Sequence, residues 1–383
     1  MADLAAQIES AAKSPPSDPA ERLALYNAAQ KLFYAVEDPL DSINRVNGSP
    51  LILIVSFIAA NLNIYEQLAA ASGPLTGASL AASSKCDPVL MSRILRVLAS
   101  NTLILETDED TFAANNITQA LARPGYRAGI IHSFKAVTPS FMAMPDFLAE
   151  TNYENPKDLV NSPFQKANNT DKPAFVFAME NPDMMANFNV WMAAVHGNAQ
   201  TWLHVFDFAG HVKGSTPETA IFVDIAGGLG QQSGLIKKVH PEIPGRVILE
   251  EQPFILPQTL PIEGIEKLGF DLWAPQPIKG AKVYYARNIL HDYPDDKAIA
   301  IIQNTLPALT EGSILIIDEI IIPNTGVHPT ATQTDMIMLA SFSSIERTER
   351  QWDALLDKAG LKIVKKAKYN TTTGQSAIIT VPK

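Results

Sequence analysis

Apolar positions recur at helical spacing through the first part of the chain. Leu90, Met91, Ile94, Leu95 and Leu98 fall on one face of a helix, with Arg93 and Arg96 on the other. Asp87-Pro88 stands in front of them as a helix start, because Asp caps and Pro suits the first turn. Residues 102–106 and 111–113, separated by Asp108-Glu109-Asp110, predict a small hairpin or wing. Residues 20–70 carry long apolar helical segments, 51–62 and 64–68 among them. These read as core helices or as a dimer interface whose core is completed by a second copy.

From about residue 219 the rhythm becomes strand, loop, helix. Residues 220–225 form an apolar strand, Gly227-Gly228-Leu229-Gly230 follows, and a helix runs to about Val239. Residues 246–249, 282–286 and 313–318 predict three further strands. Strands alternating with helices predict a parallel sheet covered on both faces. The end differs: residues 362–369 and 376–381 are strands joined by a turn at 370–375, so the sheet is expected to finish with an antiparallel strand.

Composition narrows the function. The 383 residues exceed the typical domain of roughly 150 residues, which predicts two domains. Forty acidic against thirty basic residues give a net charge of −10, which argues against nucleic-acid binding through the overall field, the wing notwithstanding. Cys86 is the single cysteine, so no intramolecular disulfide forms, and the seven histidines are scattered rather than set in a zinc framework. Residues 51–60 reach about half a bilayer span and read as a buried helix. Residues 1–10 lack a basic start followed by an apolar core. The expectation is a cytoplasmic protein with neither membrane nor nucleic acid as partner.

The chemistry concentrates at strand ends. Asp224 and the glycine loop end one strand and open a helix, and Glu250-Glu251 closes the next strand about twenty residues on, where a carboxylate accepts from ribose hydroxyls. Ser233 breaks the dinucleotide fingerprint and no Gly-Lys-Ser/Thr is present, so S-adenosylmethionine fits better than NAD or ATP. The segment 288–296 places His291 at the carboxyl end of a strand, with a near-neutral pKa suited to a general base. Glu319 and Glu346 are the carboxylates that could orient it. The plainer readings stay open: His291 as a turn residue packed on Tyr293, and Glu346 with Glu349 as helix-start acids.

With these motifs in place, the chain resembles the class I S-adenosylmethionine-dependent methyltransferases, in particular the plant caffeate-type and fungal small-molecule O-methyltransferases. The resemblance runs from about residue 45 to the end. It is carried by residues 223–231, 287–296 and Glu346-Arg347-Thr348 leading to Trp352 and Ala359-Gly360-Leu361, with Met144-Pro145-Asp146 and Asn181-Pro182 as fungal features. It implies an α/β protein: a mostly helical, winged-helix-like dimerisation domain, residues 1–165, then a Rossmann-like catalytic domain, residues 166–383. A homodimer and no metal are implied.

By position, Gly227, Gly228 and Gly230 would line the methionine and ribose part of S-adenosylmethionine. Asp224 belongs to the same loop, and Glu251 would accept from the ribose. Asp271 and Leu272 would meet the adenine, Arg287 the cofactor's outer side, and Tyr293 would flank the adenine. His291 would be the base between Glu319 and Glu346. Substrate candidates are Asp292, His132, His196 and the apolar Phe141, Met142, Trp191, Met192, Met338 and Phe342, in a pocket expected between the domains. The acceptor implied is a hydroxylated aromatic or polyketide-like small molecule. Ala226, Glu251 and Tyr293 depart from the usual glycine, aspartate and tryptophan. The alternative is a non-methylating pericyclase or dehydratase that keeps the sulfonium as a bound charge. The presence of His291, Glu319 and Glu346 favours methyl transfer.

Overall fold

Asp-Pro opens three helices of the first part of the chain: Pro19–Val36, Pro39–Asn61 and Pro88–Ser100. Each Asp side chain accepts backbone N–H groups that the first turn leaves unpaired, as Asp87 does from Leu90 at 2.9 Å. Proline sits where no N–H is needed. The apolar face of Pro88–Ser100 buries Met91, Ile94, Leu95 and Leu98 against Ile64, Tyr65, Leu80 and Phe112. The expected wing is present: β1 (Leu75–Thr76), β2 (Leu105–Asp108) and β3 (Thr111–Ala113) pair in the order β1-β3-β2. It starts later than residue 102 because Thr102 (φ 59°) and Leu103 still bond back to the helix end at Ala99 and Leu98.

One expectation is corrected. Residues 51–60 are helical but not a buried helix. Only Val55, Ser56, Ala59 and Ala60 of Pro39–Asn61 are buried, while Ile43, Val46, Leu51 and Ile54 are exposed. The apolar positions continue past the one stripe that faces the core. At 23 residues the helix is also long and apolar enough, by length and composition alone, to cross a membrane.

The structure, a computed structural model, describes residues 2–197, 200–371 and 373–383. Its packing divides into two units, Met1–Ala122 and Arg123–Lys383. This division falls earlier than the boundary at residue 165 expected from sequence. Helix Pro124–His132 lies against helix Pro182–Gly197 in the second unit. A Cβ on Gly129 would come within 2.6 Å of the Trp191 ring, and one on Gly125 within 2.3 Å of Ala194. These glycines let the helices approach closely, which ties residues 123–165 to the second unit.

The second unit is built on seven strands: β4 (Ala220–Ile225), β5 (Arg246–Glu251), β6 (Ile265–Gly269), β7 (Val283–Arg287), β8 (Ile314–Ile320), β9 (Leu361–Lys368) and β10 (Gln375–Pro382). Their order is β6-β5-β4-β7-β8-β10-β9. All neighbours are parallel except β10, which runs antiparallel between β8 and β9. Sequence reading omitted β6, a short and partly exposed strand without an apolar run. Alternate residues of β4, β7 and β8 feed two cores, Val223, Tyr284 and Leu315 on one face and Phe222, Tyr285 and Ile316 on the other. The carboxyl ends of β4, β5, β7 and β8 therefore carry Asp224, Glu251, Arg287 and Asp318-Glu319 to one edge, where open α/β sheets bind ligands.

Candidate active site

The turn after β7 carries His291, which is 8% exposed. Its Nδ1 lies 2.7 Å from Glu346 Oε1 and 3.8 Å from Glu319 Oε2, and its Nε2 lies 3.6 Å from Asp292 Oδ1. Glu346 reaches it from the segment before helix Glu349–Ala359, which is capped by Thr348 and not by Glu346. The helix-start reading therefore holds for Glu349 alone. Glu319, at the end of β8, accepts the backbone N–H groups of Ile289 and Leu290 through Oε1 at 2.9 and 2.8 Å. Ser344 Oγ donates to the His291 carbonyl. The second oxygens of Glu319 and Glu346 are buried and make no hydrogen bond among the described residues.

Burial opposes the imidazolium, but the carboxylates of Glu346, Glu319 and Asp292 outweigh it and hold His291 well above the ordinary histidine value. Burial pushes Glu319 up to about 7 and Asp292 up to about 6, against the pull of His291. His291, Glu319 and Glu346 offer donor atoms all within 4.8 Å of one another, a set a divalent cation could also use. The sequence reading expected no metal from the ligand count; these three residues are 28 and 55 positions apart, and their convergence is a property of the fold.

The cofactor candidates cluster on the adjoining strand ends. Glu251 accepts from Gly228 N at 2.9 Å and from Gln252 N at 2.7 Å. Gly228 (φ 58°) is open above: a Cβ there would find only Gln231 Oε1, at 4.0 Å. Gly227 is closed on its inner side, where a Cβ would meet Asp224 Cγ at 2.5 Å. A glycine loop packed below and open above, rimmed by a carboxylate, fits a nucleoside. Asp224 plays a different part. It is buried and caps the next helix through Ser233 N and Oγ, at 3.0 and 2.8 Å, and burial raises it to about 7. Tyr293 is raised to about 12 by burial and by the charges of Asp292, Glu251 and Asp271. Trp273, which sequence reasoning missed, meets the Tyr293 ring edge-on at 5.5 Å. Leu272 packs into the core beside them. Arg287 Nε lies 3.8 Å from Asp318 Oδ2, inside a buried network with Tyr285, Tyr369 and Gln375.

Of the substrate candidates, His132 and Phe342 join one aromatic chain through two residues not singled out from sequence. His132 packs on Phe188 at 5.5 Å, Phe188 on Phe175 at 6.0 Å, and Phe175 stacks on Phe342 at 5.0 Å. Burial lowers the His132 pKa, and its Nδ1 makes no hydrogen bond. Met338 is buried one helical turn before Phe342. Trp191 anchors the helix pair at Gly129 and meets Tyr126 edge-on. Phe141 and Met192 are half-buried, and Met142 is 74% exposed. His196 is helical, but its side chain lies outside the described residues. All these residues fall in the unit Arg123–Lys383, so the sequence boundary at 165 does not separate them.

A seven-stranded sheet with this strand order and this edge defines a methyltransferase domain, and comparison with known proteins agrees. Residues 154–362 match the O-methyltransferase domain and residues 53–123 the O-methyltransferase dimerisation domain. The chain belongs to the S-adenosylmethionine-dependent O-methyltransferase family. It is 36% identical over 363 residues to the O-methyltransferase LepI of Aspergillus flavus, covering 94% of this chain and 93% of that one. It is 32% identical over 344 residues to the demethylsterigmatocystin 6-O-methyltransferase of Aspergillus parasiticus, covering 90% and 88%. Among solved structures, LepI in complex with S-adenosylmethionine superposes with a TM-score of 0.91 at 35% identity, over 100% of this chain and 98% of that one. A structure described as a pericyclic reaction enzyme gives 0.91 at 35%, over 100% and 99%.

Proposed function

We propose that the protein methylates a hydroxyl of an aromatic or polyketide-like small molecule, with His291 as general base. The observation that carries this reading is the 2.7 Å contact between His291 Nδ1 and Glu346. A carboxylate accepting from Nδ1–H leaves Nε2 as the lone-pair nitrogen. Asp292 Oδ1 lies 3.6 Å from Nε2, beyond hydrogen-bond reach. Nε2 takes the proton of the acceptor hydroxyl, and Glu346 and Glu319 stabilise the imidazolium that forms. Glu251, Gly228, Asp271 and Tyr293 would hold S-adenosylmethionine, which when bound would supply the methyl for the acceptor oxygen and be left as S-adenosylhomocysteine. The chain Phe342–Phe175–Phe188–His132 supplies flat apolar surface for an aromatic acceptor. The working form is a homodimer, in which a second copy covers the exposed apolar positions of the first helices.

A second reading has its own support. The similarity to LepI, and to a structure described as a pericyclic reaction enzyme, fits a chain that uses S-adenosylmethionine as a fixed positive charge. A histidine held protonated by three carboxylates would then act as a hydrogen-bond donor. Mass spectrometry after incubation with S-adenosylmethionine and a panel of phenols and polyketides separates the two. A product heavier by one methyl group, with equimolar S-adenosylhomocysteine, supports methyl transfer. Isomerised or dehydrated product without S-adenosylhomocysteine overturns it in favour of the second reading.

A further inference from the structure

Next to Glu346 stands Arg347, a residue with no part in the chemistry above. It is 1% exposed, and burying a guanidinium is costly unless its donors are all directed. Here Nη1 donates to the Leu290 carbonyl at 2.8 Å, Nη2 to the Tyr293 carbonyl at 2.8 Å, and Nε to Asp295 Oδ1 at 2.9 Å. Its carbon lies 5.2 Å from the ring centre of Trp352, which is fully buried and donates from Nε1 to the Ile320 carbonyl at 3.0 Å. The two carbonyls flank the pair His291-Asp292. One fork thus bridges the start and the end of the turn that presents the base. Tyr293, at the far end, is the residue whose ring meets Trp273 edge-on at 5.5 Å. Successive residues of one segment therefore hold the same turn, Glu346 by the imidazole and Arg347 by the backbone on either side of it.

We propose that Arg347 is a positioning residue that couples the two halves of the site, fixing the His291 imidazole relative to the Tyr293 side of the cofactor pocket through the carbonyls of Leu290 and Tyr293. Only a planar fork can serve both carbonyls and Asp295 at once; the ammonium of lysine keeps the charge but not that geometry. The idea rests on the reading of His291 as base and of Tyr293 as a cofactor neighbour.

The test uses the full chain with Arg347→Lys and, in case that variant fails to fold, Asp295→Asn, whose carboxylate is 66% exposed and holds only the Nε end of the fork. Three quantities are read: the melting temperature, calorimetric affinity for S-adenosylhomocysteine, and the His291 titration by histidine-selective NMR, assigned with His291→Ala. The expected result for Arg347→Lys is a folded protein with roughly fivefold or greater loss of S-adenosylhomocysteine affinity, together with a His291 titration moved towards the ordinary value. Asp295→Asn shows the same pair of changes at smaller amplitude. A lowered melting temperature with affinity and titration both unchanged would overturn the proposal and leave Arg347 as a fastening of the fold. If His291→Ala keeps its methyl-transfer rate, the base reading fails by itself, and the affinity arm still decides Arg347.

Discussion

Glu346 Oε1 meets His291 Nδ1 at 2.7 Å across 55 positions of sequence, and among the described residues neither side chain has an alternative partner at comparable distance. The pair orients the ring and raises its basicity together. Glu346→Gln keeps the shape and removes the charge, so methyl transfer should fall by roughly tenfold to a hundredfold, and His291→Ala by about a thousandfold. Affinity for S-adenosylhomocysteine should stay within about twofold for both. Mass-spectrometric turnover and calorimetry check the two halves of this prediction.

The pH dependence follows from the same cluster. A base at His291 would have to be unprotonated to work, and the surroundings of His291 raise its pKa above the ordinary 6.5. The rate should therefore climb with pH through a midpoint above 6.5, and Glu346→Gln should move that midpoint down. An acidic limb at the ordinary histidine value in both proteins would contradict the assignment.

Stability carries the opposite sign. Burial lifts Glu319 from 4.5 to about 7, so between those values the folded chain holds a proton that the unfolded chain has lost. That contribution is full below the unfolded value and disappears as pH rises through about 7. Glu319→Gln, which cannot lose the proton, should flatten the decline in melting temperature between about pH 5 and pH 8.

The position of Ala226 gives a simple test of the glycine loop. Its φ of 50° lies in the left-handed region that an L side chain enters at a cost of about 1–2 kcal/mol. Ala226→Gly should leave the loop in place and change stability by about 1 kcal/mol or less in the favourable direction, since the added freedom of the unfolded chain offsets part of the relief. Gly228→Ala should do the reverse. At φ 58° the new methyl is strained and projects into the open side of the loop, so S-adenosylhomocysteine binding should weaken by tenfold or more, read by calorimetry.

Ile43 and Val46, 56% and 64% exposed, belong to the uncovered face of helix Pro39–Asn61. Light scattering should give twice the mass of one chain, and Ile43→Asp with Val46→Asp should give a single chain mass.

Much of the frame could be read from the sequence because it is local. Asp87-Pro88, the apolar strand before Gly227, and the terminal hairpin each announce themselves within a few residues. His291, Glu319 and Glu346 could be named as candidates, but which carboxylate touches the ring depended on the sheet order, and no spacing encodes that. Strand β6 escaped because an exposed edge strand has no apolar run. Phe175 and Phe188 were not singled out, because nothing local marks them, and Phe342 stacks on Phe175 only through the fold. The packing units divide after residue 122 rather than 165, because a change in local pattern does not say which helices pack together, and Gly125 and Gly129 seat helix Pro124–His132 against helix Pro182–Gly197.

The place of β10 has a consequence for the strand beside it. It follows β9 in sequence, yet it lies inside the sheet between β8 and β9. Its first residue, Gln375, donates to Asp318 Oδ1 and to Asn288 Oδ1, both at 2.9 Å. Without β10 the edge of β8 is unpaired beside Asp318-Glu319, and Asp318 and Asn288 lose the amide that ties them together. The strand that carries Glu319 to His291 is thus clamped by a segment that contributes no side chain to that contact.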